Sequence, residues 1–511
     1  MIDELPIPAA LAVAVGAGVS IALSLPPFGW WPLGIIGLGF FAALLSGRPV
    51  GRRAMLGAAV GLGQYAIGLW WVTEFNGAGY VALVALAMAF TAGAGAGAGA
   101  GVCAGAAARS RTRTRVGVVI GLPAALVVSD WVRGHFPFGG LPLGGIPLGQ
   151  AAGPLAPVAR MGGPLLVTGT VTAAGASLMV LVTTVACARR SRTSRDGLGA
   201  AAAAVMLALV VTLVVAGRLG PDGGGGRPGR PVSVAAVQGG GARGLHANEV
   251  APDVVFRRQV AATTDLHLPL HLVVWPEDVI NVNRPIGDTP EGATVGQLAR
   301  QLNATIVAGV VEDVGADRFR NAAVVWSPAG VIVARYDKVH RVPFGEYVPG
   351  RRVFQHLANL ALVPRDAIAG RGPGLLATPA GPLGTVISYE VFFPDRARAA
   401  IDAGGQLLVV PTNASSYRTS QVPTQEVAAA QLRAWETGRD TIQAAPTGYS
   451  ALIDHDGRIL ARSTLGLQQV ITGRLVLRTG RTVFVRLGEV PVVLLAILGL
   501  LAPVRLARRP G

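Results

Sequence analysis

Arg335-Tyr336-Asp337-Lys338-Val339-His340-Arg341-Val342-Pro343-Phe344-Gly345-Glu346-Tyr347 contains the one lysine of a 511-residue chain in which Lys and Arg together number 44. All the others in that count are arginine, so this composition writes Arg wherever a plain positive charge suffices. A guanidinium is always protonated, whereas an ε-ammonium is compact and can lose its proton when partly buried. Lys338 is therefore a candidate for proton transfer or oxyanion stabilisation, with a chance survivor on a strand edge as the alternative. The stretch closes an apolar, β-rich run over 331–336 and carries a carboxylate, Glu346, eight residues further on.

The same alternation extends to both sides of it. Strands are expected over 232–237, 272–275, 305–311, 322–326, 331–336, 384–388, 406–411, 441–444 and 449–453, and helices over 251–266, 294–302, 394–403 and 424–438. Short apolar β-rich runs interleaved with helical ones argue for an α/β domain whose strands are buried between helices. It is expected over 231–481, a length ample for its own core. A Gly/Pro-rich linker, 218–230, precedes it.

The rest of the chain reads as membrane. With 51% hydrophobic and 14% charged residues and a mean hydropathy of +0.50, the chain is too apolar for a soluble enzyme of this size. Runs long enough to span a bilayer, about 20 residues each, fall near 7–25, 32–47, 55–73, 80–107, 116–131, 161–187 and 198–217. An eighth lies near 487–504. The expected organisation is thus a seven-span bundle over 1–217 and an eighth span with its tail over 482–511. The first span carries Asp3 and Glu4 and no basic residue at its front, and is read as a retained helix. The Ala-Gly alternation over 92–101 is read as a surface for close helix packing.

The net charge of +16 is placed for topology and not for nucleic acid. Arginines cluster after spans two (48, 52, 53), four (109–115), six (189–195) and eight (505–509). Under the positive-inside rule both termini are cytoplasmic and the α/β domain lies outside.

Within that domain the candidate reactive groups stand where strands end. Val273-Val274-Trp275-Pro276-Glu277 closes one strand with a carboxylate, Lys338 closes another, and Ile387-Ser388-Tyr389-Glu390 runs from a strand into a turn before Pro394. A residue on such a sharp turn is exposed and lies near backbone N–H donors, as in a nucleophile elbow. The only cysteines, Cys103 and Cys187, fall in or beside spans, so the domain has no disulfide and no cysteine nucleophile. No metal site or cofactor is expected: paired histidines and a phosphate-cradling glycine motif are lacking, and His340 is read as structural.

Together these segments resemble the nitrilase superfamily, and more closely its membrane branch, the apolipoprotein N-acyltransferases. Trp275-Pro276-Glu277, Lys338 through Pro349 and Ser388-Tyr389-Glu390 match three signatures of that branch; Pro411-Thr412-Asn413 and Arg433 through Arg439 match weaker ones. The resemblance spans nearly the whole chain. It implies an α-β-β-α sandwich on the outer face of a bacterial inner membrane. It also implies a ping-pong reaction in which a fatty acyl group passes from a phospholipid to the N-terminal amine of a lipoprotein. Glu277 would be the general base, Lys338 the oxyanion partner aided by backbone N–H groups near Tyr389, and Glu346 and Glu390 orienting groups. Ordinary ion pairing with nearby arginines is the alternative for those two glutamates.

The family pattern has Cys where this chain has Ser388. A hydroxyl must lose its proton during attack and depends on its base far more than a thiol does. A neutral Lys338 could supply such a base and would then cease to be a cationic oxyanion partner. Three readings stay open: a serine nucleophile, a homologue that kept lipid or lipoprotein binding as a scaffold for a partner membrane enzyme, and a deliberate change. Residues 414–417 and 443–448 also depart from the family pattern, which implies a reshaped lipid or acceptor pocket. Outside the domain, Arg133 among Trp131, Phe136 and Phe138 is a candidate for a phospholipid phosphate.

Overall fold

The computed structural model describes residues 5–98, 111–190, 197–220, 226–241, 250–266, 269–354, 363–413 and 420–507. The latter part of the fourth expected span, Cys103, part of the linker and positions 414–417 lie outside the described residues. The chain divides into two compact units, residues 1–220 with 487–511, and 221–486.

The first unit is helical: α1 (Ile7–Ser24), α2 (Trp31–Leu45), α3 (Val50–Gly68), α4 (Gly77–Gly97), α5 (Arg111–His135), α6 (Ala159–Arg190) and α7 (Gly197–Leu219), joined by the helix Val490–Ala507. Among the described residues, five helices are long and apolar enough, by length and composition, to cross a membrane. Trp31–Leu45 and Val490–Leu501 are apolar but shorter. Small residues set the helix spacing. A Cβ at Gly18 would stand 2.0 Å from the Val60 carbonyl and one at Gly63 would stand 2.2 Å from that of Val15, so α1 and α3 touch backbone to backbone. The Ala-Gly segment does the same at Gly95, against the Arg53 carbonyl at 2.5 Å, while Gly93 faces open space.

The second unit is built on two sheets. Its strands are β1 (Arg227–Gln238), β2 (Leu272–Val274), β3 (Ile280–Val282), β4 (Thr305–Val314), β5 (Arg318–Trp326), β6 (Ile332–Asp337), β7 (Asp366–Ala367), β8 (Leu375–Thr378), β9 (Gly381–Thr385), β10 (Leu407–Pro411), β11 (Thr441–Ala444), β12 (Ala451–Ile453), β13 (Ile459–Arg462) and β14 (Gln469–Thr479). One sheet runs in the order β14-β1-β2-β4-β5-β6, with β3 on β4 and β7 on β5; the other runs β13-β12-β11-β10-β9-β8. The strands that place the site are β2 (Leu272–Val274), β5 (Arg318–Trp326), β6 (Ile332–Asp337), β9 (Gly381–Thr385) and β10 (Leu407–Pro411). Side chains alternate across each strand. Leu272 and Val274 of β2 therefore join Leu407 and Val409 of β10 in the core between the sheets. Val273 faces the other way, packing with Val295 and Leu298 of the helix Pro290–Leu302. Strands buried on both faces read as continuous apolar runs, which is why the sequence shows them so clearly.

That helix carries its own stop signals: the Thr289 hydroxyl accepts from the Gly292 N–H at 3.1 Å, Pro290 sits in the first turn, and Asn303 ends it at φ +48°. Five strands were not read from the sequence: β3, β7, β8, β13 and β14. The longest, β14 (Gln469–Thr479), pairs antiparallel with β1 along its length, but its buried positions alternate with exposed Thr472 and Arg474, and exposed Thr479 ends it. One boundary differs where it matters. The expected strand 384–388 leaves the sheet at Thr385, and Ser388 opens a 3-10 turn, Ser388–Phe392.

Candidate active site

Trp275-Pro276-Glu277 leaves the end of β2 with Glu277 buried, and Lys338 leaves the end of β6 only 2% exposed. The Lys338 ammonium donates to Glu277 Oε1 at 2.8 Å and to Glu346 Oε1 at 2.9 Å. Burial works to lower the lysine pKa, but the two carboxylates outweigh it and hold it above the ordinary value. Lys338 is therefore a cation. The two contacts use two of its three N–H bonds, which leaves one for a ligand oxygen.

Asn321, in the middle of β5, completes the cluster. Its side-chain amide donates to Glu277 Oε1 at 2.8 Å and to Glu346 Oε1 at 3.0 Å, and its carbonyl accepts from the Lys338 N–H at 2.8 Å. Glu346 Oε2 in turn accepts from the Val342 N–H at 2.7 Å, closing the loop that carries the lysine. Sequence reasoning missed Asn321. The signal was there: an amide inside Asn321-Ala-Ala-Val-Val-Trp326 is out of place in a strand unless something needs it.

Ser388 has φ +49°, the left-handed region a side chain seldom occupies. Asp278 (φ +57°), next to Glu277, and Phe344 (φ +60°), two residues before Glu346, share that backbone state. Glu390 fixes the turn: its buried carboxylate accepts from the N–H groups of Val339 (2.8 Å), His340 (3.0 Å) and Ile387 (2.8 Å), and from the Tyr336 hydroxyl (2.9 Å). Arg396 is only a neighbour at 3.8 Å and donates instead to the Tyr336 hydroxyl. Glu346 and Glu390 thus hold backbone and lysine in place, beyond ordinary pairing with arginine.

On the other side of Ser388 stands Thr412, which follows the end of β10. Its hydroxyl oxygen is 3.4 Å from Ser388 Oγ and 2.6 Å from Glu426 Oε2. Its carbonyl accepts from the Glu277 N–H at 3.3 Å, so the ends of β2 and β10 meet here. Burial pushes the Glu426 carboxyl up to about 7; the Thr412 hydrogen bond, the Lys338 charge and the nearby Ser388 hydroxyl pull it down, while the Glu277 charge raises it further.

Tyr389 packs edge-on against Phe393 at 5.0 Å. The Asn413 amide reaches Asp278 at 3.2 Å, one residue beyond Glu277. Arg133 belongs to the helical unit. Its guanidinium donates to the carbonyls of Leu141 (2.7 Å) and Leu143 (2.8 Å) and to Asp130 (3.1 Å), and it stacks 5.6 Å over Tyr65. The residues brought together are therefore Glu277, Asn321, Lys338, Glu346, Ser388, Glu390, Thr412 and Glu426, with Tyr389 and Asn413 beside them.

Residues 17–177 match the family described as the apolipoprotein N-acyltransferase N-terminal domain, and 247–483 match the carbon-nitrogen hydrolase family. An apolipoprotein N-acyltransferase of Mycolicibacterium smegmatis is 31% identical, over 96% of this chain and 84% of that relative. The chain belongs to the apolipoprotein N-acyltransferase family. A Pseudomonas aeruginosa apolipoprotein N-acyltransferase is 30% identical over 91% of this chain and 89% of its own. Among solved structures, a Saccharomyces cerevisiae member of branch 10 of the nitrilase superfamily aligns with 49% of this chain and 91% of its own, at 18% identity and a TM-score of 0.38. The apolipoprotein N-acyltransferase family thus accounts for both halves of the chain, the apolar helices and the two-sheet unit.

Proposed function

We propose that the chain transfers a fatty acyl group from a phospholipid to the N-terminal amine of diacylglyceryl-cysteine lipoproteins, through an acyl ester on Ser388. The observation that carries this is the buried Glu277–Lys338–Glu346 cluster beside a hydroxyl presented on a left-handed turn. In the first half-reaction Ser388 Oγ attacks the donor ester, and the remaining N–H of Lys338 meets the oxyanion, with the Tyr389 backbone as a second donor. In the second, the lipoprotein amine attacks the acyl ester and must lose a proton, a task for which Glu277 is the base.

The reading includes its setting: eight spans, the first seven over 1–217, a linker over 218–230, the acyl-transfer domain over 231–481 and the last span over 482–511. Both termini face the cytoplasm and the domain faces outward from the bacterial inner membrane. The arginine clusters after alternate spans support that orientation. The exposed rings of Trp30 and Trp70 (each 57% exposed) and Phe136 (62%) suit the outer interface in that orientation. Arg133 supports the loop that carries Phe136, and Tyr389 and Asn413 border the acyl site.

The test incubates the purified full chain with acyl-labelled phospholipid and a diacylglyceryl-cysteine peptide. An acyl adduct on Ser388, absent from Ser388→Ala, together with label on the peptide, is the expected result. Transfer by Ser388→Cys alone would mean that the scaffold is intact and the serine inactive. Transfer by neither would assign the chain to lipid or lipoprotein binding without chemistry.

A further inference from the structure

Glu426 is a buried carboxyl with no part in the reaction as the resemblance describes it. It lies on the helix Gln421–Thr437, every residue of which except Thr424 is buried. Four groups of the site bear on it: the Thr412 and Ser388 hydroxyls, the Glu277 carboxylate and the Lys338 ammonium. Thr412 has a single proton and gives it to Glu426 Oε2 at 2.6 Å, so its oxygen faces Ser388 Oγ, 3.4 Å away, as an acceptor. Glu277, by contrast, takes both the Lys338 ammonium and the Asn321 amide on Oε1 and makes no hydrogen bond to Ser388.

We propose that Glu426, acting through Thr412, is the base that takes the proton of Ser388. The proposal rests on the acyl-ester reading above and changes one role within it, leaving Glu277 to the amine step. As the Ser388 Oγ–acyl carbon bond forms, the Oγ proton moves to Thr412 and the proton of Thr412 moves to Glu426 Oε2. The carbonyl electron pair collects on the oxyanion beside Lys338. When that pair returns, the donor's ester C–O bond breaks, and its leaving oxygen takes the proton back from Glu426. The products are acyl-Ser388 and the deacylated donor alcohol, with Thr412 and Glu426 restored. A carboxyl whose pKa burial has pushed up to about 7 is matched to the task, because a base works best with a pKa near the operating pH. The residue also answers the missing thiol: a hydroxyl needs this help and a thiol largely does not.

The test follows the burst of nitrophenol from p-nitrophenyl butyrate, which reports ester formation on residue 388 whatever the natural donor. The full chain in detergent is compared with Glu426→Gln, Thr412→Val, Ser388→Cys and the double variant Ser388→Cys/Glu426→Gln. The wild-type burst is expected to climb to a plateau through about pH 7. Glu426→Gln and Thr412→Val should slow it about 100-fold and Glu426→Gln should remove the step. In the cysteine background Glu426→Gln should cost no more than about 5-fold, which also shows that the variant folds. A wild-type burst that is absent, a Glu426→Gln burst within about 3-fold of wild type, a step that survives the substitution, or an equal loss in the cysteine background would each overturn the proposal. A Glu426-dependent burst without acyl transfer from phospholipid to lipoprotein peptide would sustain it while refuting the natural substrates proposed above.

Discussion

Replacing Lys338 by Met removes the cation from between two buried carboxylates, 2.8 and 2.9 Å from it, and leaves them sharing the Asn321 amide. Breaking a buried ion pair from one side costs about 3–5 kcal/mol. The folded protein limits that cost by binding a proton on the carboxylate pair, which raises the pair's titration above the ordinary glutamate value, about 4.3. A group that holds its proton more tightly when folded makes stability fall as pH rises between the unfolded and folded values. Glu426, which the Lys338 charge helps to hold down, adds to the trend. The penalty of Lys338→Met is therefore small near pH 5 and grows towards pH 8. In the wild type the raised lysine pKa acts at the other end of the scale: its stabilisation is complete below the unfolded lysine value, about 10.4, and is lost only as pH climbs through the folded one. For a unit of this size a kcal/mol is worth about 2–4 °C, so the melting temperature should drop by about 6–20 °C at pH 8. The assay is thermal unfolding of the full chain in detergent, followed through the fluorescence of buried Trp275 and Trp326. A loss under about 2 °C at pH 8, or one that shrinks as pH rises, would refute a charged Lys338 in this cluster.

Asn321→Leu keeps the volume but withdraws one donor from each of Glu277 and Glu346; it should cost about 2–3 kcal/mol in thermal unfolding and lower acyl transfer with it. Glu426→Gln should gain stability while losing activity: lifting a carboxyl from its ordinary value of 4.5 to about 7 costs about 3 kcal/mol once it must ionise. Because that folded pKa is raised, the wild type loses stability as pH rises from about 4.5 to about 7, so the variant's advantage in melting temperature should be full near pH 8 and vanish below about pH 4.5.

Glu277, Lys338 and Ser388 were legible in the sequence because each ends an apolar run with a residue that burial penalises unless it has a purpose. The protonation of Lys338 was not, since it depends on how far the chain brings Glu277 and Glu346 towards one another. Glu426 was hidden for a different reason: glutamate is an ordinary helix residue, and nothing in Gln425-Glu426-Val427 reveals that all three residues are buried. Arg133 was legible as unusual among apolar neighbours, but its loop carbonyl partners come from residues 8 and 10 positions further on, after a turn that sequence pattern does not specify. Strand β14 was obscured at Gly473, where the inward position between Ile471 and Leu475 carries no apolar side chain and the alternation that reveals a half-buried strand is lost.

The Glu390 carboxylate joins two sheets: Val339 and His340 extend from β6 in one, and Ile387 leads out of β9 in the other. Lys338 and Ser388 therefore become neighbours only when the two halves of the domain have closed on each other. A nascent or partly opened chain holds a serine without its cation and a cation without its serine. On the acyl-ester reading proposed above, such a chain could not take acyl groups from the lipids around it, and closure of the two sheets acts as a safety catch.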